Sequence, residues 1–176
     1  MSARRHEIRM AGSGGQGLIT GMAILLRALA LEGKRAAQSQ SYEPTSRGGF
    51  CYSDLVVTED SGDYPLATGL DAMAALSQIG LERSLSLVKP GGVVVVDERL
   101  AAEAGGGHEL LVLPFAARAA ALGNPRIANV VALGALTRLA DLCAPETLEE
   151  AIRLEAPPRF IGLNLDAMRD GLRLAE

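Results

Sequence analysis

A short strand-like stretch, EIRMA at residues 7–11, runs straight into Gly12-Ser13-Gly14-Gly15-Gln16-Gly17. Residues 18–31 follow with helical composition and are apolar nearly all round. A strand that ends in glycines and restarts as a helix commits the chain to a strand–turn–helix unit. Such a turn presents backbone N–H groups and a helix N-terminus to an anion, typically a phosphate. A helix that is apolar on every side needs cover from a sheet or a partner on more than one flank. Glu32-Gly33 ends it with the glycine expected at a helix C-terminus.

The remaining chain alternates in the same way. Residues 35–40 read as a second strand, 41–49 (SYEPTSRGG) as a polar loop, and 50–58 (FCYSDLVVT) as a third strand. An acidic turn follows at 59–63. Residues 70–77 (LDAMAALS) fit strand or helix equally by periodicity, and 81–88 read as a helix stopped by Lys89-Pro90-Gly91-Gly92. Val93-Val94-Val95-Val96 is the clearest strand, and its lack of alternation predicts burial on both faces. Another strand is expected at 109–114. Helices are expected at 115–122, 127–142, 145–154 and 164–174, the last capped by Asn164. The expected architecture is α/β, a three-layer sandwich around a mainly parallel, Rossmann-like sheet. Residues 1–176 are expected to form one domain, with a C-terminal helical segment from about 157.

Composition narrows the function. Hydrophobic residues make up 48% of the 176 and charged residues 22%, which is globular rather than disordered. A net charge of −4 argues against nucleic acid as a partner. No apolar run reaches membrane-spanning length, and the N-terminus lacks the apolar core of a signal peptide, so a cytoplasmic location is expected. The chain has two cysteines and two histidines. An iron–sulfur cluster needs about four thiolates and a closed zinc site about four N or S ligands, so no metal site is expected. His6 and His108 stand isolated, Cys51 reads as a small buried hydrophobe and Asp97 as a solvated strand end. No catalytic residue is assigned.

A second constellation is Tyr42-Glu43-Pro44-Thr45-Ser46-Arg47-Gly48-Gly49. One arginine followed by two glycines offers a bidentate guanidinium beside exposed amides, suited to phosphate or carboxylate. Placed after the second strand, it should share a sheet edge with the first loop. The acid that an NAD site needs near the end of that strand is missing, because the segment there is Gln38-Ser39-Gln40-Ser41. A stand-alone nucleotide- or NAD(P)-binding module is the alternative reading, and glycines that serve packing alone are a third.

Taken together, GSGGQG…TG, SYEPTSRGG and the CYSDLVV strand resemble the gamma subunit of the 2-oxoacid:ferredoxin oxidoreductases of pyruvate, 2-oxoglutarate and ketoisovalerate type. The resemblance continues at Asp63-Tyr64-Pro65, at Lys89-Pro90-Gly91-Gly92 and at LGNPRIANVVALG, residues 122–134. It covers about residues 7 to 150 and is closer to the 2-oxoglutarate and general 2-oxoacid enzymes than to the indolepyruvate ones. Glu43 departs from it, where glycine is expected before the proline.

The resemblance implies an enzyme complex that decarboxylates a 2-oxoacid on thiamine diphosphate. Such a complex passes electrons through iron–sulfur clusters to ferredoxin and releases an acyl-CoA. Thiamine diphosphate and the clusters would belong to alpha and beta subunits, and to a delta subunit where the complex has one. This chain would be inactive alone and would help form the coenzyme A site. The residues expected at that ligand are Gly12, Gly14, Gly15, Gln16, Gly17, Tyr42, Arg47, Gly48, Gly49 and Asn129, the last either there or capping its own helix. A Cβ at Gly14 or Gly15 is expected to obstruct the close approach of backbone amides.

Overall fold

The glycine that closes the first helix does so by the geometry the sequence implies. In the computed structural model, which describes residues 5–43, 48–58, 66–103 and 107–176, helix α1 spans Leu18–Leu31. Gly33 then turns left-handed at φ 73°. Its N–H reaches the Ala30 carbonyl at 3.0 Å, and the Lys34 N–H reaches that of Leu29 at 2.9 Å, a Schellman closure. The helix is flanked by strands β1 (His6–Ser13) and β2 (Arg35–Tyr42), and β3 (Phe50–Thr58) follows β2. The candidate Arg47, the acidic turn and the Asp63-Tyr64-Pro65 motif lie outside the described residues, as does the Tyr42 side chain.

Residues 70–77, which periodicity leaves open, resolve into strand β4 (Leu70–Ala75) and a capping serine. The strand lies between neighbours and is buried on both faces, so no alternation marks it. Ser77 Oγ accepts the Gly80 N–H at 3.2 Å and starts helix α2 at Gln78–Ser84, earlier than the expected 81–88. A 3₁₀ turn, Leu85–Leu87, leads into strand β5 (Val88–Asp97). The segment 89–92 therefore lies within a strand and not at a helix stop. Register jumps from Leu70↔Val88 to Ala72↔Val93, which makes it a bulge with Gly91 left-handed. Strand β6 (Glu109–Leu113) and helices α3 (Phe115–Ala121), α4 (Ala128–Leu139), α5 (Pro145–Glu155) and α6 (Ile161–Leu174) complete the chain.

Two helix ends differ from expectation. Helix α4 stops at Leu139 and not Leu142, because Asp141 turns left-handed at φ 48°. Asn164 does not cap α6: the helix starts three residues earlier, and the Asn164 Nδ2 donates back to the Phe160 carbonyl at 2.8 Å.

The sheet order is β2-β3-β1-β4-β5-β6. Strands β1, β4, β5 and β6 run parallel, and β3 runs antiparallel to both β1 and β2. One face carries the larger core, with Ile8, Met10 and Leu55 from the sheet against Leu25 of α1 and Leu133 of α4. The other face packs Met73, Val94 and Val96 against Leu81 of α2. Helix α1 lies against β2 and β3 on one side and α5 on another. Its apolar circumference is thus largely covered within the chain, with Leu31 half exposed. Helix α4 is buried from Val130 to Thr137, because α6 covers the side the sheet does not. That pair meets through glycines. A Cβ on Gly134 would stand 2.2 Å from the Met168 carbonyl oxygen, and one on Gly171 would stand 2.0 Å from that of Val131.

The segment entering β4 is fastened by a buried acid. Glu7 accepts N–H groups from Thr68 and Gly69 and the Arg5 Nε at 2.6 Å. Burial alone would push its carboxyl up, but the Gly69 amide, the Arg5 guanidinium and the Thr68 amide together hold it below its ordinary value of 4.5. A carboxyl held low in the fold contributes stability that is present above its unfolded value and lost as pH falls through its folded one. Stability should therefore decline on acidification below about pH 4.5, and Glu7→Gln should flatten that decline while lowering stability at neutral pH. Urea unfolding across the range checks this; parallel curves for the two proteins would sink it.

Candidate functional site

The chain leaves β1 toward β2 on one side of the sheet, whereas β4 leads away toward β5 on the other. The carboxyl ends of β1 and β4 are therefore neighbours at the point where the winding reverses, where open α/β sheets hold ligands. The glycine loop sits there. Gly15 and Gly17 are left-handed at φ 93° and 71°. Helix α1 begins with no side-chain cap and no acid in its first turn, so its positive dipole end is unneutralised. Among the described residues, the Gly15 and Gly17 N–H groups are engaged by no hydrogen bond.

Two candidate ligand residues brace this loop from within. Gln16 Oε1 accepts the Ser13 N–H at 2.7 Å, and its Nε2 donates to the Leu76 carbonyl at 2.9 Å, tying the loop to the end of β4. Asn129, buried at the start of α4, donates from Nδ2 to the Gly17 carbonyl at 2.8 Å and does not cap its own helix. These braces are what a side chain added at two of the glycines would displace. A Cβ at Gly12 would stand 2.3 Å from the Gln16 Oε1, and one at Gly17 would stand 2.7 Å from the Asn129 Nδ2. Among the described residues, a Cβ at Gly14 finds its nearest contact at 3.8 Å, and one at Gly15 finds nothing within 4 Å. Among the described residues, then, the chain itself does not crowd those two positions, and the obstruction expected there would be toward a ligand; Gly15 is needed for its backbone angle.

The second loop comes to the same edge. The Glu43 N–H donates to the Phe50 carbonyl at 3.1 Å and closes the β2–β3 hairpin. The Gly49 carbonyl accepts the Gly14 N–H at 3.0 Å, so the two glycine segments touch. The structure thus brings Gly12, Gly14, Gly15, Gly17, Gly48 and Gly49 to one place, with Gln16 and Asn129 behind them. Helix α2 reaches both loops. Its Gly80 lies so close to the end of β1 that a Cβ would stand 2.6 Å from the Gly12 nitrogen, and its Arg83 pairs with Glu43 at 2.9 Å. Neither residue stands out in the sequence; an isolated glycine in a helical pattern was the available signal for Gly80.

Other candidates fall away from this edge or serve the fold. Asp97 is fully buried and not solvated. It accepts N–H groups from Arg99 and, at 2.7 Å, from Ala116 at the start of α3. Burial pushes the Cys51 thiol up, and Cys143 is pushed up to about 12 by burial and the nearby Glu32 carboxylate. Both are inert as thiolates. His6 and His108 sit at the opposite strand ends. No group of three or more His, Cys, Asp or Glu among the described residues could hold a metal ion. A cleft of about 590 Å³ opens at that opposite edge, lined by His6, Lys34, Arg35, Thr58 and Asp141 among others, and shares no residue with the two loops. Glu43, the nearest acid to the end of β2, already holds Arg83 and accepts the Phe50 N–H at 3.3 Å. A ribose would find no free carboxylate there.

A glycine loop at the switch point, met by a glycine-ended hairpin, is the candidate site of this chain, and comparison with known proteins places the chain in a family of oxidoreductase subunits. The pyruvate ferredoxin/flavodoxin oxidoreductase family matches residues 7–174, and the chain belongs to it as a gamma-type subunit. It is 38% identical to the 2-oxoglutarate synthase subunit KorC of Methanocaldococcus jannaschii, with 98% of this chain aligned to 95% of that one. The corresponding subunit of Archaeoglobus fulgidus is 36% identical, with 97% and 88% covered. The keto/oxoacid ferredoxin oxidoreductase gamma subunit of Geobacter sulfurreducens superposes with a TM-score of 0.86 at 35% identity, over 98% of this chain and 97% of that one. The 2-oxoglutarate:ferredoxin oxidoreductase of Magnetococcus marinus, solved with 2-oxoglutarate, coenzyme A and succinyl-CoA bound, shares the fold at a TM-score of 0.86 and 24% identity. The match covers 98% of this chain and 31% of that one.

Proposed function

We propose that this chain serves a 2-oxoglutarate-type 2-oxoacid:ferredoxin oxidoreductase by forming, with its two glycine loops, part of the coenzyme A site. The observation that carries this is the Gly14 N–H to Gly49 carbonyl contact, which joins both anion-suited loops at an uncapped helix N-terminus. Full-length likeness to 2-oxoglutarate synthase subunits supports the substrate class. In the complex, thiamine diphosphate and iron–sulfur clusters held by alpha and beta subunits would supply decarboxylation and electron transfer to ferredoxin. Two buried cysteines, one in β3 and one between α4 and α5, do not fit a cluster in this chain. Its own part is to bind and orient. The free N–H groups of Gly15 and Gly17 and the positive end of α1 face the anion, here a phosphate of coenzyme A. Arg47 adds a charged fork from the second loop, and Gln16 and Asn129 keep the amides aimed.

The test is the complex, copurified on a tag carried by this chain. Arg47→Ala removes one charge-assisted hydrogen bond, worth about 1.5–3 kcal/mol, and should raise the KM for coenzyme A roughly ten- to a hundredfold. The 2-oxoacid KM should move far less, because decarboxylation precedes acyl transfer. Arg47→Lys should recover part, since it keeps the charge without the fork. An unchanged coenzyme A dependence would remove Arg47 from the site.

A further inference from the structure

The second loop is a hairpin tip, and its tip glycines matter to the site only if the hairpin holds them against Gly14. The base is fixed by one backbone hydrogen bond, in which the Glu43 N–H donates to the Phe50 carbonyl. What stands over that base is α2. The Glu43 carboxylate divides its two oxygens: Oε2 accepts the Phe50 N–H at 3.3 Å, and Oε1 accepts from the Arg83 Nη1 at 2.9 Å. The Arg83 guanidinium also lies over the Phe50 ring, 5.5 Å from its centroid, and Phe50 in turn leans on Tyr52 at 5.4 Å. One turn earlier on α2, Gly80 presses on the backbone of Gly12. The same short helix therefore touches the first loop through a glycine and the second through an ion pair.

We propose that Arg83 and Glu43 form a latch, positioning residues that hold the Gly48–Gly49 tip in register with Gly14 and so set how tightly the paired loops take coenzyme A. This deepens the reading above and rests on it. Neither side chain needs to touch the ligand. Glu43 acts through the Phe50 amide and the hairpin base, and Arg83 acts through Glu43. Because α2 also carries the contact to Gly12, a shift of this helix moves both loops together. The pair is partly solvated, with side chains 55% and 35% exposed, so its worth is that of a modest surface ion pair.

In the assembled complex, Glu43→Gln and Arg83→Gln should each raise the coenzyme A KM by roughly two- to fivefold, leaving kcat and the 2-oxoacid KM unchanged. The double variant should be no worse than the poorer single, because both remove the same contact. Arg83→Lys, which keeps the charge opposite Glu43, should stay near the parent value. Amide hydrogen exchange at Phe50 should quicken in both single variants. If Arg47→Ala weakens coenzyme A binding while Glu43→Gln and Arg83→Gln do not, the site stands and the latch is overturned. Effects that multiply in the double variant overturn it as well. If Arg47→Ala is also without effect, the coenzyme A reading fails first; unchanged exchange at Phe50 then overturns the latch, and quickened exchange in both variants upholds it as a device for holding the tip.

Discussion

Gly171→Ala should lower the stability of this protein by about 3 kcal/mol or more, an effect at the upper end of overpacking in a core. The added methyl would stand 2.0 Å from the Val131 carbonyl oxygen and 2.9 Å from the Ala135 nitrogen, both backbone atoms of α4. No rotamer change relieves that contact, so α6 must move away from α4 along its length. Gly134 faces the same seam from the other helix, with its nearest obstacle 2.2 Å away at the Met168 carbonyl. Gly162→Ala is the control. It lies in the same helix with nothing within 4 Å, and should be neutral or gain a few tenths of a kcal/mol from helix propensity. For a chain of this size, 3 kcal/mol corresponds to a fall in Tm of roughly 6–12 °C. Equal melting temperatures for the two variants would show that the helices do not meet as closely as described.

The second large effect is expected at Asp54. Arg9 and Asp54 face each other across β1 and β3, exposed by only 4% and 2%. They form a bidentate pair, Nε to Oδ1 at 2.7 Å and Nη2 to Oδ2 at 2.8 Å. The guanidinium is stacked on the Tyr52 ring 3.9 Å away. Asp54→Ala leaves that charge buried, with Ser84 Oγ at 3.3 Å as its remaining polar contact among the described residues. The cost should be about 3–5 kcal/mol. Arg9→Met with Asp54→Leu removes both charges and retains volume, and should cost less than half as much. Denaturant unfolding of the single and double variants decides it; a double variant as unstable as Asp54→Ala would mean that packing, not the stranded charge, sets the loss.

The sequence made the strand–glycine–helix unit legible because each of its signals is local. The apolar run of α1, the glycine at its C-terminus and the left-handed turns before it need no distant residue to be recognised. The convergence of the two loops was legible too, since strand order alone puts the ends of β1 and β2 on one edge. Where the outcome depended on neighbours, local signals failed. Residues 70–75 became a strand only because β1 and β5 enclose them, and 89–92 joined β5 because β4 supplied a bulged register. Asp97 looked like a strand end in water, but α3 begins over it and takes its carboxylate. Gln16 and Asn129 both hold the loop, but their partners are a carbonyl of residue 76 and one of residue 17, distances in sequence that no periodicity records. Gly80 offered only the weak signal of a lone glycine, because its importance lies in the backbone it meets.

The antiparallel pairing of β2 with β3 has a consequence for how such subunits diverge. Register runs unbroken from Arg35↔Thr58 to Tyr42↔Cys51, and β3 is locked again to β1 from His6↔Val57 to Ser13↔Phe50. The sheet therefore keeps its alignment whatever the length or composition of the tip beyond residue 43. Changes there are set apart from the core by these two ladders, unlike changes at Gly12 and Gly17 of the first loop, which the braces and α2 crowd. One wall of the site is fixed by folding, and the other is open to selection. Differences among chains of this fold can thus accumulate at the hairpin tip at little expense to stability.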